Sequence, residues 1–363
     1  MSNNNVNILI TGATGYLGGS ILERLLNHPD FARFKITAIV RSAKKAEKLK
    51  KLGIDVAVGS HSDADLVTDL AAKADVVFTA ADADDLGAAQ ALLAGLKQRF
   101  EKTGKKSVLI HTSGAATLID LNANGTTPHQ VYDDTDATQI ETLPGSSYHR
   151  HVDLPLVNAD IEGFVKTYII LPSLVYGIAT GTLVDLGIRN PHTLLFPHLI
   201  RLCQKRGQGG VPGKGLNKWP HVHINDMADL YIRLFDAVIA NAPGLGHGRE
   251  GYYFAENGHT LSYDLCKAVA VALAARGVGT EEPTVFTEEE HKTVSHVHSS
   301  MRNLFLNSGI GIGRHLQEFL LAILSSSVEC KASRARALGW EPRYGDEEFF
   351  GSFDAEVGAA LRG

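Results

Sequence analysis

The residues best suited to chemistry form a glycine-rich turn, TGATGYLG, over residues 11–18. In a dinucleotide site the first glycine of such a turn permits a tight bend, the second admits the pyrophosphate to the backbone, and the third lets the helix pack closely on the strand. The helix N-terminus offers free N–H groups and partial positive charge to phosphates. The turn therefore predicts a bound dinucleotide, and a glycine-rich turn without a ligand is the alternative. The expected contacts are Thr11, Gly12, Thr14, Gly15, Tyr16, Leu17 and Gly18.

The end of the second predicted strand indicates which dinucleotide is bound. An NAD site usually carries an acid there, which bonds the ribose 2′-hydroxyl. In this sequence Arg41 occupies the strand tip, Lys44 and Lys45 follow it, and the next acid is Glu47. Because an arginine can clamp a 2′-phosphate, the sequence favours NADP over NAD. The alternative is that Arg41 is an ordinary solvated charge.

Histidine pairs raise the question of a metal site. The sequence contains three His-x-His pairs, which are His149 with His151, His221 with His223, and His296 with His298. On a strand, such a pair shares one face and could bind a metal. No cysteine or carboxylate cluster joins these pairs at an obvious spacing, so we predict no metal site.

The elements that position these residues alternate between β-rich and helical runs over the first 180 residues. This alternation predicts an α/β fold with a doubly wound parallel sheet, as in Rossmann domains, over residues 1–180. A return segment is expected near 216–243, and residues 181–363 are expected to form mainly a smaller substrate-binding region. The predicted strands are Val6–Thr11, Lys35–Val40, Ile54–Val58, Asp75–Ala80, Ser107–Thr112 and Tyr168–Leu171.

The composition excludes several classes of protein. The 363 residues carry a formal net charge of -5, and 44% of them are hydrophobic. A mildly acidic surface argues against a nucleic-acid partner. Three cysteines cannot form a disulfide framework, and no apolar stretch reaches the roughly 18 residues of a membrane helix. Since the N-terminus also lacks the features of a secretory signal, we expect a cytoplasmic protein without membrane contact.

Four further segments carry a resemblance that spans most of the chain. Together with the glycine-rich turn, they resemble the landmarks of extended short-chain dehydrogenase/reductases, and in detail those of atypical, NAD-dependent epimerase/dehydratase-like members from fungi. These segments are VLIHTSG over residues 108–114, LPSLVYG over 171–177, WPHVHINDMA over 219–228 and ALGWEP over 337–342. The resemblance implies a Rossmann fold, and it also implies cofactor contacts at Ser60, Ala80, Thr112, Pro172 and Leu174.

In that family a tyrosine and a lysine four residues later perform acid/base chemistry beside a serine or threonine. The resemblance places the serine at Ser113 and the tyrosine at Tyr148, 35 residues later. Gly114 occupies a place where family members often have a second hydroxyl residue. The lysine position is Val152, which departs from the pattern. One match to Tyr-x-x-x-Lys, which starts at Tyr263, lies on a later predicted helix and is a chance occurrence.

The missing lysine changes the chemistry that is expected of the tyrosine. A unit charge about 5 Å away is worth roughly 3 kcal/mol at an effective dielectric of about 20, or about 2 pKa units. Without the lysine charge, we expect Tyr148 to keep a pKa of about 10. It can then donate a proton but is a poor base. On a helix His151 would face Tyr148 and could replace the charge. However, Pro155 also allows the helix to begin at Asp153, which would leave Tyr148 in a loop.

These observations favour an NADP-dependent oxidoreductase that reduces a carbonyl of a small metabolite by hydride transfer. Ser113 would bond the carbonyl oxygen, Tyr148 or His151 would take part in proton transfer, and the loops 180–190 and 207–217 would line the substrate site. The alternatives are an epimerase, dehydratase or lyase that uses bound NAD(P), and a non-catalytic redox sensor that binds NADP. Similar proteins form dimers through helices at the positions of Leu86–Phe100 and 150–164, so a homodimer is also expected.

Overall fold

A sheet of parallel strands forms the centre of the molecule. The computed structural model describes residues 5–119, 130–287, 290 and 323–362. Its strands are β1 (Val6–Thr11), β2 (Phe34–Val40), β3 (Asp55–Val58), β4 (Val76–Thr79), β5 (Ser107–Thr112), β6 (Tyr132–Asp133), β7 (Val165–Pro172), β8 (Leu174–Tyr176), β9 (Gly210–Val211), β10 (Lys218–His223), β11 (Tyr252–Ala255), β12 (His259–Leu261), β13 (Thr284–Val285) and β14 (Cys330–Lys331).

Seven of these strands build the main sheet, in the order β3-β2-β1-β4-β5-β7-β11, and all of the neighbouring pairs are parallel. The order reverses between β1 and β4, as it does at the switch point of a doubly wound sheet. Ile8, Leu9 and Ile10 of β1 are at most 1% exposed. Helices cover both faces of such a sheet, which explains why the strands are continuous apolar runs. The predicted α/β fold class is confirmed.

Helices pack on the sheet and fill the second region. They are α1 (Tyr16–Leu26), α2 (Ala43–Lys50), α3 (Ala64–Ala71), α4 (Leu86–Thr103), α5 (Ala137–Glu141), α6 (Arg150–Glu162), α7 (Thr182–Asp185), α8 (Leu195–Arg206), α9 (Ile224–Ile239), α10 (Ser262–Ala274), α11 (Ser333–Ala337), α12 (Asp346–Gly351) and α13 (Phe353–Arg362). Among the residues described, no helix combines the length and the apolar character that a bilayer crossing requires.

The chain returns twice to the first domain. Helix α9 packs against α1, within the predicted return segment at 216–243. Strand β11 then pairs with β7 at the edge of the main sheet, outside that segment. All four residues of β11 are buried, so the strand shows none of the alternation by which a half-buried strand is recognised.

The second region contains a smaller sheet beside the carboxyl edge of the main one. Its strands run in the order β12-β10-β8, and helices α8, α10 and α13 pack around one another. The glycine-rich segment 207–215, expected to be a loop, contains β9, which pairs with β13. The sequence also predicts one or two helices within Arg302–Leu324. Residues 302–322 of that segment lie outside the described residues, as do His296 and His298.

Candidate functional site

The glycine-rich turn connects β1 to α1 and is shaped by close backbone contacts. Gly12 has a φ of 74°, and a Cβ atom on it would lie 2.3 Å from the carbonyl oxygen of Ala80. A Cβ atom on Gly18 would lie 2.3 Å from the carbonyl oxygen of Gly12. Gly15 is less crowded, since its Cβ would meet the Gly12 oxygen alone, at 3.1 Å. The first and third glycines therefore satisfy packing, while the second keeps one side of the turn open.

The N-terminus of α1 is left available to a ligand. Gly15 is its N-cap residue, no side chain caps the helix, and its first turn holds no acid. The exposed N–H groups and the helix dipole thus keep their affinity for an anion. A turn that a Cβ would fill, followed by an uncapped helix, fits the pyrophosphate of a dinucleotide.

Arg41 lies where the sequence places it, directly after β2. Its side chain is exposed, and no ion pair joins it to another residue in the described part of the chain. Glu47, the next acid in the sequence, forms an ion pair with Lys50 at 2.8 Å. The tip of β2 thus presents a free cation and no carboxylate.

A cleft of about 420 Å³ opens between the carboxyl edge of the main sheet and the second region. Six of the predicted cofactor contacts line this cleft, which are Gly15, Tyr16, Leu17, Ala80, Pro172 and Leu174. The second region contributes residues 192–195, Trp219 and Ile323. The expected substrate loop 180–190 contributes Asn190, whereas the expected loop 207–217 does not reach the described lining.

Other predicted contacts have different surroundings. The Oγ1 atom of Thr112 lies 2.6 Å from the hydroxyl of Tyr231 on α9, so it is engaged within the core. Thr14 accepts a backbone hydrogen bond from Asn190, and Ser60 accepts one from the backbone N–H of Ser62. These residues hold neighbouring loops in place.

Ser113 lines the cleft directly after β5 and is joined to a buried carboxyl group. Its Oγ atom donates to Oδ2 of Asp153 on α6, over 3.0 Å. Burial raises the pKa of Asp153 to about 7, although the nearby charge of His149 and the hydrogen bond from Ser113 lower it. The Oδ1 atom of Asp153 lies 3.8 Å from Nε2 of His111, whose pKa burial lowers to about 3. Asp153 is not among the residues that the sequence predicts for the site.

Helix α6 begins after a residue in the left-handed conformation, His149, which has a φ of 64°. The helix starts at Arg150, so the expectation of a start at Asp153 is wrong. Pro155 lies inside the helix, and because proline has no N–H, the carbonyl of His151 accepts no bond from it. Tyr148 precedes the helix, so it does lie outside regular structure, as the second alternative required.

Tyr148 packs on the hydrophobic core and is not among the residues that line the cleft. Burial, helped by the charge of Asp84, raises the pKa of Tyr148, which keeps the phenol protonated. Val152, at the family's lysine position, is 1% exposed and belongs to the core. Proton donation by Tyr148 stays a prediction, and the position of the Tyr148 side chain does not support it.

His149 lines the cleft instead. Its Nδ1 atom lies 2.8 Å from Oδ1 of Asp84, in the loop after β4. Its Nε2 atom is on the opposite side of the ring, near Gly114, where a Cβ atom would lie 3.0 Å away. Helical spacing around Tyr148 points to residue 151, so His149 is not among the residues that the sequence predicts for catalysis. The available signal was Gly114, a residue without a side chain at a position where relatives have a hydroxyl group.

His151 also contacts Asp84, but it does not line the cleft. Its Nε2 atom lies 3.0 Å from the backbone oxygen of Asp84 and 4.0 Å from Oδ1. Since the ring does not line the cleft, His151 is placed to hold the loop after β4. Its predicted catalytic role has no support from this position.

The remaining histidine pair and the later Tyr-x-x-x-Lys match have structural roles. His221 contacts Asp346 at 2.8 Å and stacks on Phe349 at 4.2 Å. His223 accepts the N–H of Asn225 and so caps α9. Tyr263 and Lys267 both bond Glu282 on the surface and do not line the cleft.

The model of the NmrA-like family matches residues 4–97. An oxidase of Acremonium sp., ucsJ, is 27% identical over 287 residues, which cover 75% of this chain and 80% of that protein. An uncharacterised protein of Schizosaccharomyces pombe is 26% identical over 231 residues, covering 62% of this chain and 69% of its own.

Solved structures share the fold at low identity. The UDP-glucose 4-epimerase of Thermotoga maritima with UDP-glucose superimposes with a TM-score of 0.58 and 15% identity, over 98% of both chains. The dTDP-glucose 4,6-dehydratase DesIV of Streptomyces venezuelae, with NAD and TYD bound, superimposes with a TM-score of 0.61 and 14% identity, over 98% of this chain and 97% of the other. The predicted resemblance to extended short-chain dehydrogenase/reductases of the epimerase/dehydratase type is confirmed for the fold.

Proposed function

We propose that this protein is an NADP-dependent oxidoreductase that reduces a carbonyl group of a small, uncharged metabolite. The observation that carries the proposal is that one cleft joins residues of the dinucleotide turn, Gly15 to Leu17, to two polar side chains, Ser113 and His149. A hydride donor held at the turn and a substrate held beside the polar pair would share that space.

The residues of the turn fit a dinucleotide. Gly12 and Gly18 leave a backbone cradle that a Cβ would fill, and the uncapped N-terminus of α1 suits its phosphates. The free guanidinium of Arg41 suits the 2′-phosphate of NADP rather than the ribose hydroxyl of NAD. When bound in reduced form, the cofactor would supply a hydride to the cleft.

The lining of the cleft supports an uncharged substrate of mostly apolar surface. In the described part of the chain the lining includes neither a lysine nor an arginine. The diphosphate of a nucleotide sugar would need such cations or an equivalent set of donors. Beyond the turn, the apolar lining residues include Ala115, Ala116, Pro172, Leu174, Val175, Leu194, Leu195, Trp219 and Ile323, and the polar ones near them include Asn190, His192 and Thr193.

In the proposed reaction Ser113 would bond the carbonyl oxygen, and the protonation state of Asp153 would control whether it can. When Asp153 is ionised, the serine O–H is directed to the carboxylate. Because burial raises the pKa of Asp153 to about 7, this carboxyl group is partly protonated near neutral pH. A protonated Asp153 donates to the serine oxygen and leaves the serine O–H free for the substrate.

The test is to incubate the purified protein with NADPH and a panel of aldehydes and ketones that ranges from polar to apolar, and to follow the absorbance of NADPH. We expect steady consumption that is fastest with uncharged, apolar ketones. Product formed without consumption would instead support the epimerase, dehydratase or lyase alternative. Tight NADPH binding without product formation and without NADPH consumption, together with retention of a protein partner, would support the alternative of a redox sensor.

A further inference from the structure

Resting on the proposed function, we propose that His149, held by Asp84, is the residue that delivers the proton to the substrate oxygen, in the place of a tyrosine and lysine. Asp84 acts as its positioning residue. The proposal rests on the positions of the two rings, His149 and Tyr148, and on the side chain that is absent at residue 114.

The contacts fix the orientation of the imidazole. Nδ1 of His149 is engaged with Asp84 over 2.8 Å, and this is the hydrogen bond that the ring forms among the described residues. His149 is 6% exposed and lines the cleft. An acid that fixes one ring nitrogen, so that the other faces the reaction, is the arrangement of a general acid/base.

The backbone provides room for this ring at two positions. His149 adopts a left-handed φ of 64°, which turns it away from the axis of α6 before the helix begins. Gly114 lies opposite, and any Cβ there would be 3.0 Å from Nε2 and 3.2 Å from Cδ2. The glycine at residue 114, the valine at residue 152 and the histidine at residue 149 are therefore consistent with one change of proton donor.

The charges around the ring favour its protonated form. Burial alone would lower the pKa of His149, but the charge and hydrogen bond of Asp84, helped by Asp153 and Asp82, raise it above its ordinary value. Reciprocally, the histidine lowers the pKa of Asp84 against the effect of burial. The other titratable groups near this ring are Tyr148, His151 and His111, and burial keeps the last of these neutral.

In the proposed reaction, His149 gives up one proton as the carbonyl group is reduced. The N–H bond at Nε2 breaks, an O–H bond forms on the former carbonyl oxygen, and the imidazole returns to its neutral form. The hydride on the carbonyl carbon comes from the reduced cofactor. Reduction therefore needs protonated His149 and declines as the pH rises through its raised pKa, whereas oxidation of the alcohol needs the neutral ring and increases over the same range.

The first arm of the experiment measures the imidazole without cofactor or substrate. In protein labelled at its 16 histidines, the NMR resonance that disappears in His149→Asn identifies the ring. Asparagine tolerates the left-handed conformation, so this variant should fold. We expect the His149 resonance to titrate above the ordinary histidine value of about 6.5 and to move to lower pH in Asp84→Asn. The matched control is Asp85→Asn, one residue away at the N-cap of α4. In this control the titration of His149 should stay unchanged.

The second arm measures turnover of the best ketone from the panel. We expect His149→Asn to lower kcat about 100-fold at neutral pH, with NADPH binding retained. Asp84→Asn should move the pH profile of reduction to lower pH, which a purely structural role would not do. Tyr148→Phe should change kcat by less than about twofold.

Three results would overturn the proposal. The first is a His149→Asn variant that is as active as the wild type. The second is loss of activity in Tyr148→Phe with an unchanged His149 titration, which would return the role to the tyrosine. The third is a wild-type protein that turns over no carbonyl compound, and this result alone would also remove the proposed function.

Discussion

The turn after β1 and the start of α6 differ in how they obtain their chemistry. At the turn, the proposed binding would rely on backbone N–H groups and on side chains that must be absent, as at Gly12 and Gly18. At α6, the side chain that reaches the cleft is His149, and it does so through a left-handed φ and an acid from another loop. The first arrangement is a property of local sequence, whereas the second depends on the tertiary structure.

This difference is a physical reason why the resemblance to extended short-chain dehydrogenase/reductases is close at the turn and departs from their pattern at α6. Phosphate binding by a helix N-terminus tolerates no substitute for the close backbone approach. Proton transfer tolerates any group whose pKa and position suit the substrate. In the proposed reaction, a histidine whose pKa Asp84 raises would therefore take the place of a tyrosine whose pKa a lysine lowers.

The largest effect is expected at the turn, from Gly12→Ala. The new Cβ would lie 2.3 Å from the Ala80 carbonyl oxygen, at a residue with a φ of 74°, so β4 and the turn must move apart. We expect NADPH binding to weaken by more than about 100-fold, in addition to the roughly 1–2 kcal/mol cost of a left-handed alanine. Isothermal titration calorimetry and chemical denaturation measure the two effects.

Gly53→Ala is the matched control for that variant. Gly53 has a similar φ of 80° but no atom within 4 Å of the added Cβ. The Gly53→Ala variant should lose about 1 kcal/mol of stability and keep its full affinity for NADPH. If both variants bound NADPH equally, the close contact with Ala80 would have no part in cofactor binding.

A smaller effect is expected at the catalytic side, from Ser113→Ala. The variant loses the hydroxyl that bonds the carbonyl oxygen and leaves the buried Asp153 without its donor. Removal of such a donor typically lowers kcat by about 100-fold, and NADPH binding should be retained. Ser107→Ala, at the other end of β5, loses a hydrogen bond to Ala74 and serves as the control, since its kcat should not change. An unaltered kcat in Ser113→Ala would remove the serine from the reaction.

The sequence predicted the first domain closely, because its strands and helices obey local rules. The periodicity of α4 was recognised as far as Phe100, and the helix ends at Thr103, before the left-handed Gly104. Strand β11 was missed because four buried residues show no alternation. Asp84, Asp153 and His149 were missed for another reason. His149 precedes α6 and Asp153 lies on it, whereas Asp84 follows β4 and Ser113 follows β5. Only tertiary packing brings the two ends of each pair together.

The smallest effect is expected at the tip of β2, from Arg41→Ala. A guanidinium that contacts a phosphate contributes about 1.5–3 kcal/mol, but Arg41 is exposed and solvent weakens the contact. We therefore expect NADPH to bind about tenfold more weakly, NADH to bind as before, and the preference to shrink in high salt. Lys73→Ala removes an exposed cation between α3 and β4, at the opposite edge of the sheet, and should change neither affinity. Equal affinities of the wild type for NADPH and NADH would show that the turn binds the dinucleotide without help from Arg41.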